Sequence, residues 1–136
     1  MVSPKRKAAN EIRRKEDAGL RRMFNILSSK SHSKRKWYID YECFKRISAQ
    51  PCFYCGKPPS QKAYAQTRSS RKESFKQDYN RFVLYNGLDR IDNEIDYIET
   101  NLVPCCKICN FAKRDLSLDE FRGWAKNLYL RFFPSP

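Results

Sequence analysis

Residues 86–115, NGLDRIDNEIDYIETNLVPCCKICNFAKRD, contain the most informative pattern in the chain. Cys106 and Cys109 form a Cys-x-x-Cys knuckle, and Cys52 and Cys55 form a second knuckle far upstream. Four thiolates in two such pairs suit a tetrahedral zinc ion, which would join two segments that are distant in sequence. A redox pair or disulfides are the alternatives, and the presence of two knuckles favours structural zinc.

Two further cysteines are expected to have other roles. Cys105 adjoins the second knuckle, but its spacing to Cys109 is less suitable for metal binding. Cys43 falls on the apolar face of a predicted short helix and is expected in the core. Because the chain starts without a secretory signal and has no run of about 18 apolar residues, we expect an intracellular protein with reduced or metal-bound thiols and no membrane partner.

The charge of the chain indicates the class of its partner. There are 28 Lys and Arg against 15 Asp and Glu, a formal net charge of +13. Cations that neutralise phosphates release counterions, so this excess favours a nucleic-acid partner over a merely soluble basic protein. The run 30–36, KSHSKRK, predicts phosphate contacts through Lys34, Arg35 and Lys36, with a solvated linker as the alternative.

Apolar spacing predicts an α+β chain in two parts. Residues 1–36 are predicted to be a basic extension with a helix from Ala8 to Leu27 that makes weak tertiary contact. This helix is a candidate DNA contact, partner site or dimer interface, so a homodimer is one expected arrangement. Residues 37–136 are predicted to form the zinc domain.

Local signals predict the elements of the second part. Asp40 is a candidate N-cap for a short helix, and Ser117 with Glu120 predicts a capping box for the last helix. A strand is predicted at 81–85, RFVLY, and another at LDRID immediately after the Asn-Gly dipeptide, which is typical of a tight turn. The polar stretch 60–80 has no clear period and predicts a loop or partly disordered insertion.

Three segments, CFYCG, NGLDRIDN and NLVPCCKICNFAKRDLSLDEF, resemble HNH endonucleases of the ββα-metal class in their order and spacing. The resemblance covers roughly residues 37–124. It implies that two strands and a helix hold one divalent cation, Mg²⁺ or Mn²⁺, while zinc is structural. It further implies hydrolysis of phosphodiester bonds in DNA, with double-stranded DNA as the expected substrate.

The resemblance also assigns roles to individual residues. Asp89 matches the acidic ligand of the catalytic cation, and Asn110 matches the helix position that completes this metal site. Asn101 matches the Asn that holds the active-site loop by hydrogen bonds. Lys113 and Arg114, near the end of the same predicted helix, are expected to contact phosphate.

Arg90 departs from the usual motif, in which a His at this position is the general base. An arginine side chain keeps its proton and cannot be that base, so the Asp-Arg pattern implies a phosphate contact instead. His32 is the one imidazole in the chain and is a candidate base. Tyr38 and Tyr41 are weaker candidates, because an ordinary phenol has a pKa of about 10. A metal-bound water that needs no protein base is the remaining alternative.

Two functional classes follow from these residues. Joint presence of Asp89, Asn101 and Asn110 favours a nuclease. Arg90 and the scarcity of histidine favour a catalytically inactive protein that uses the same fold to bind DNA or RNA, as a component of a larger assembly or alone.

Overall fold

A computed structural model of the chain describes residues 3–30, 35–68 and 75–135. Its elements are, in order, α1 (Pro4–Lys30), α2 (Tyr41–Ser48), β1 (Gln61–Arg68), β2 (Phe75–Tyr85), β3 (Gly87–Arg90), a short 3₁₀ helix (Glu99–Asn101), β4 (Leu102–Cys105), α3 (Lys107–Lys113) and α4 (Leu118–Phe132). Strands β1 and β2 form one antiparallel pair, and β3 and β4 form another. Helices combined with two small sheets confirm the predicted α+β class.

Helix α2 lies at the centre of the core. It begins after Asp40, whose carboxylate accepts a hydrogen bond from the backbone nitrogen of Cys43 at 2.8 Å, so the predicted N-cap is confirmed. Phe44 is fully buried and Ile47 nearly so. The buried apolar cluster around them consists of Leu20, Ile39, Tyr41, Cys43, Phe44, Ile47, Ala63, Tyr85 and Leu102. Cys43 is therefore a core residue, as predicted.

The expectation that α1 makes weak tertiary contact is wrong. Leu20 is 3% exposed and belongs to the same core as α2. Gly19 lies against the backbone of Ala63 in β1, and Asp17 forms a 2.7 Å ion pair with Lys45 of α2. The predicted extension and the predicted zinc domain therefore share one core. The helical spacing of apolar residues predicted an apolar face on α1. It could not predict that β1 covers this face, because that contact joins segments distant in sequence.

The expectation of a loop over residues 60–80 is also wrong, because β1 and the start of β2 lie there. Ala63 and Ala65 of β1 are buried, at 0% and 2% exposure, while their neighbours alternate outward. Alanine and glutamine have low β-propensity, so the strand signal was weak in the sequence. Burial of the alanine side chains under α1 stabilises the strand instead.

Asn86 and Gly87 do not form the predicted tight turn. Strand β2 ends before Asn86 and β3 begins after it, but each strand pairs with a different partner. Asn86 is fully buried, and its Nδ2 donates to the carbonyl of Gln50 at 2.8 Å. A hairpin turn requires its flanking strands to pair with each other, and here the dipeptide connects two sheets.

The C-terminal helices follow the second sheet. Cys106 caps α3, which begins before the predicted position at Asn110. Ser117 and Glu120 form the predicted capping box at the start of α4, with bonds of 2.8 and 3.3 Å. None of the helices in the described ranges is both long and apolar enough to cross a membrane.

Candidate metal centre and adjoining cavity

The two predicted cysteine knuckles meet in the folded chain. The sulfur atoms of Cys52, Cys55, Cys106 and Cys109 all lie within 4.8 Å of one another, an arrangement that can hold a metal ion. Sulfur atoms of Cys55 and Cys106 are 3.7 Å apart. Tetrahedral zinc with Zn–S bonds of about 2.3 Å requires sulfur separations of about 3.8 Å, so the observed spacing suits such an ion. Cys105 lies outside the cluster, and its thiol donates to the carbonyl of Cys106.

Each knuckle is shaped by local backbone structure. Gly56 has a φ of 73° and donates its backbone N–H to the carbonyl of Cys52 at 2.8 Å, which turns the first knuckle back on itself. Cys106 accepts a hydrogen bond from the backbone nitrogen of Cys109 at the start of α3. Phe53 bonds to the carbonyl of Pro104 at 2.8 Å and so joins the first knuckle to β4.

The thiols of the cluster differ in acidity. Burial acts to raise the pKa of Cys52, but hydrogen bonds from backbone N–H groups, including that of Cys106, lower it to about 6. Burial and hydrogen bonding to neighbouring thiols raise the pKa of Cys109. The thiolate of Cys52 is thus favoured over that of Cys109, and a bound cation would provide the charge needed to ionise Cys109.

A cavity of about 680 Å³ lies against β3 and α3, and the ends of α1, β1 and β2 complete its wall. It is lined by Asp89, Arg90 and Asn110, together with Lys107 and Arg114. Four residues that the sequence analysis selected are therefore brought together at one site. Lys107 was not selected, although its position next to a knuckle cysteine could have suggested it.

Asp89 is 8% exposed, and one oxygen of its carboxylate has two polar partners. Its Oδ2 accepts a hydrogen bond from the hydroxyl of Tyr54 at 2.6 Å and lies 3.1 Å from Nζ of Lys113. Burial and the bond to Asp89 raise the pKa of Tyr54, so this phenol stays protonated. Tyr54 is a second residue that sequence reasoning missed, although its place inside the first knuckle was a usable signal.

The expected phosphate contact of Lys113 is wrong for this structure. Its side chain is fully buried, and its ammonium group also donates to the carbonyl of Arg90 at 3.1 Å. An ammonium in this position neutralises Asp89 and supports the end of β3, and it is not accessible to a nucleic acid.

Arg90 is held by the loop that follows β3. Its Nη1 donates to the carbonyls of Asn93 at 2.7 Å and Ile95 at 2.9 Å. The guanidinium carbon lies 5.0 Å from the ring centre of Tyr97. These contacts orient the guanidinium group at the cavity wall.

Asn101 makes the loop-holding hydrogen bonds that the resemblance implied. Its Oδ1 accepts from the backbone nitrogen of Asp92, and its Nδ2 donates to the carbonyl of the same residue, both at 2.9 Å. Longer bonds reach the carbonyls of Ile95 and Asp96. The side chain is 5% exposed, so these contacts are shielded from water.

The remaining site predictions have mixed outcomes. Arg35 forms a 2.8 Å ion pair with Glu94, and Lys36 is exposed beside it. Tyr41 is a core residue whose pKa is raised by burial, so it is wrong as a candidate base. Tyr38 is 62% exposed. His32 and Lys34 lie outside the described residues.

Comparison with known proteins finds one partial similarity. An uncharacterized protein of Acanthamoeba polyphaga mimivirus is 34% identical over 77 residues, which are 57% of this chain and 11% of the viral protein. The chain therefore matches only a small part of that longer relative. No protein-family model and no solved structure matches the chain.

Proposed function

We propose that this protein is a metal-dependent endonuclease of the HNH type that hydrolyses phosphodiester bonds in DNA. The observation that carries the proposal is the common cavity of Asp89, Arg90 and Asn110 at the junction of β3 and α3. A carboxylate on a strand and an amide oxygen on a helix can bind a hard cation, and the surrounding cationic side chains can stabilise the charge that develops on a phosphodiester.

The four-cysteine cluster is proposed to hold structural zinc. The four sulfur atoms lie within 4.8 Å of one another, and thiolates gathered in this way are the ligands of structural zinc sites. With zinc bound, the first knuckle and the start of α3 would be joined, and α3 carries Asn110. The cluster would thereby determine where Asn110 lies relative to Asp89.

Asp89 and Asn110 would hold the catalytic Mg²⁺ or Mn²⁺ through side-chain oxygens. The hydrogen bond from Tyr54 and the ion pair with Lys113 both involve Oδ2 of Asp89. The other carboxylate oxygen, Oδ1, makes neither contact and is the atom that suits a hard cation. A bound cation of this kind would polarise the scissile phosphate and lower the pKa of its water. Because Lys113 already offsets the charge of Asp89, we expect weak cation affinity.

The chain's own cations would bind the phosphate. Arg90 has a fixed guanidinium orientation, while Lys107 and Arg114 line the same cavity. Such groups stabilise the negative charge that develops during phosphoryl transfer. Arg90 cannot accept the proton of the attacking water, and His32 remains the candidate to test for that step.

Cleavage of supercoiled plasmid with Mg²⁺ or Mn²⁺, compared with EDTA, tests the proposal. Asp89→Ala leaves the buried Lys113 ammonium without its partner, so circular dichroism must first show that the variant is folded. Folded Asp89→Ala should not cleave but should bind DNA, whereas Asp119→Ala, a 96% exposed control carboxylate on α4, should cleave like the wild type. If His32 is the base, His32→Ala should lower the rate by roughly 10²–10⁴. If neither the wild type nor Arg90→His cleaves any DNA with either cation, the nuclease proposal is wrong.

A non-catalytic nucleic-acid-binding protein is the second candidate. The ion pair between Asp89 and Lys113 favours it, because an acid that is neutralised within the fold can serve stability alone. Under this alternative, the wild type would bind DNA or RNA with the same affinity in Mg²⁺ and EDTA once ionic strength is matched, and no cleavage product would form.

A further inference from the structure

The outward face of the β1–β2 pair carries a cluster of aromatic side chains. Ala63 and Ala65, on the opposite face, are buried on the side where α1 packs. Tyr79 is 71% exposed and Phe82 is 42% exposed. The ring of Tyr64 contacts both: its centre lies 5.4 Å from the ring centre of Tyr79 and 5.7 Å from that of Phe82. One face of the pair therefore stabilises the core, while the other offers aromatic rings to solvent.

One cation, Lys62, lies on this aromatic face. Nζ of Lys62 lies 4.6 Å from the ring centre of Phe82 and is exposed. Asp78, the one acid in the described parts of β1 and β2, pairs in register with Ala65 on the α1 side and is bonded to Arg81 at 2.6 Å. An anionic ligand would thus meet the Lys62 ammonium beside the rings, and in the described parts of both strands it would face no free carboxylate.

The cavity reaches one end of the same strand pair from the opposite face. Gln61 and Tyr85 are paired at the end of the two strands, and both line the cavity between β3 and α3. The aromatic cluster follows along the same two strands, within a few residues of this end. Because side chains alternate between the two faces of a strand, Gln61 and Tyr85 lie on the Ala63 side, and the aromatic face is a surface separate from the cavity.

We propose that the aromatic face binds single-stranded nucleic acid, with unpaired bases stacking on Tyr79 and Phe82 and with Lys62 close to the phosphate backbone. Exposed aromatic rings with a cation beside them are suited to this ligand, because every unpaired base offers a π-face and every nucleotide a negative charge. Duplex nucleic acid keeps its bases stacked and cannot use the rings in this way. The site is separate from the cavity and does not require catalysis, so it stands whether or not the protein cleaves DNA.

Fluorescence anisotropy with labelled oligonucleotides in EDTA tests the proposal. The probes are a mixed-sequence DNA strand, the same sequence as RNA, and the DNA duplex, each with wild type, Tyr79→Ala, Tyr79→Phe and Phe132→Ala. Phe132 is the matched control, since it is 73% exposed but lies on α4. Loss of one stacked base should weaken single-strand affinity by about 10-fold or more in Tyr79→Ala, whereas Tyr79→Phe should retain affinity.

The remaining measurements separate stacking from general charge. The affinity of Tyr79→Ala for the duplex and the affinity of Phe132→Ala for the single strand should both stay within about 2-fold of the wild type. The salt dependence of single-strand binding by Tyr79→Ala should also match the wild type, because the substitution removes no cation. Comparison of the wild-type affinities for the DNA strand and the RNA strand shows which single-stranded nucleic acid the face prefers. The proposal is overturned if the wild type does not bind either strand, if Tyr79→Ala binds strands normally, or if it loses strand and duplex affinity equally.

Discussion

Replacement of Gly19 by alanine tests whether α1 is part of the core. A Cβ at Gly19 would overlap the carbonyl oxygen of Ala63 and lie 2.7 Å from its carbonyl carbon. These atoms belong to the backbone of β1 and cannot rotate away, so the helix and strand must separate. Overpacking of this kind costs about 1–3 kcal/mol. Alanine would gain about 1 kcal/mol over glycine in helix propensity, so we expect a net loss of up to about 2 kcal/mol.

Gly123 in α4 provides the matched control. A Cβ there would meet no atom within 4 Å. Gly123→Ala should therefore stabilise the protein by about 0.5–1 kcal/mol through propensity alone. Urea unfolding followed by far-ultraviolet circular dichroism, at fixed metal concentration, gives both free energies. Equal stabilisation by the two substitutions would refute the reasoning and would mean that α1 does not pack on β1 in solution.

Three further predictions concern the candidate site. Lys113→Met should cost about 3–5 kcal/mol in urea unfolding, because it leaves the buried carboxylate of Asp89 without its cation. The double variant Lys113→Met with Asp89→Asn should recover much of that loss, and a double variant no more stable than the single one would contradict the ion-pair argument. Cys109→Ser should lower the metal content of purified protein, measured by plasma mass spectrometry, whereas Cys43→Ser should keep it; equal metal content in both would exclude the four-cysteine site. Asn101→Ala should speed amide hydrogen exchange in the loop after β3 by about 10-fold or more, since each lost bond contributes about 1 kcal/mol, and unchanged exchange would show that other contacts hold the loop.

The cysteine cluster illustrates which parts of the candidate site were predictable. A Cys-x-x-Cys spacing places two sulfur atoms at one point for local reasons, through the turn at Gly56 and the cap at Cys106. Each knuckle supplies two thiolates, so a zinc ion obtains four cysteine ligands when the two knuckles lie side by side. The Asn101 contacts were accessible only through the resemblance, because a single buried asparagine has no distinctive spacing in the sequence.

Lys113 illustrates what was not predictable. A lysine followed by an arginine near the end of a helix is ordinarily exposed. Its burial depends on how α3 is rotated about its axis, and that rotation follows from the positions of Cys106 and Cys109 in the cluster. The partner of Asp89 is therefore decided by a contact between β3 and α3 that no local pattern contains.

The sequence by itself determined the features that depend on neighbouring residues. These are the caps at Asp40 and Ser117, the helical periods, the two knuckles and the excess of positive charge. Only the tertiary structure decided that α1 covers β1, that the aromatic rings of β1 and β2 remain exposed, and that Asp89 is paired with Lys113. The physical reason is the range of the interactions: caps and knuckles form within one turn of chain, whereas burial and ion pairing depend on which distant surfaces pack together.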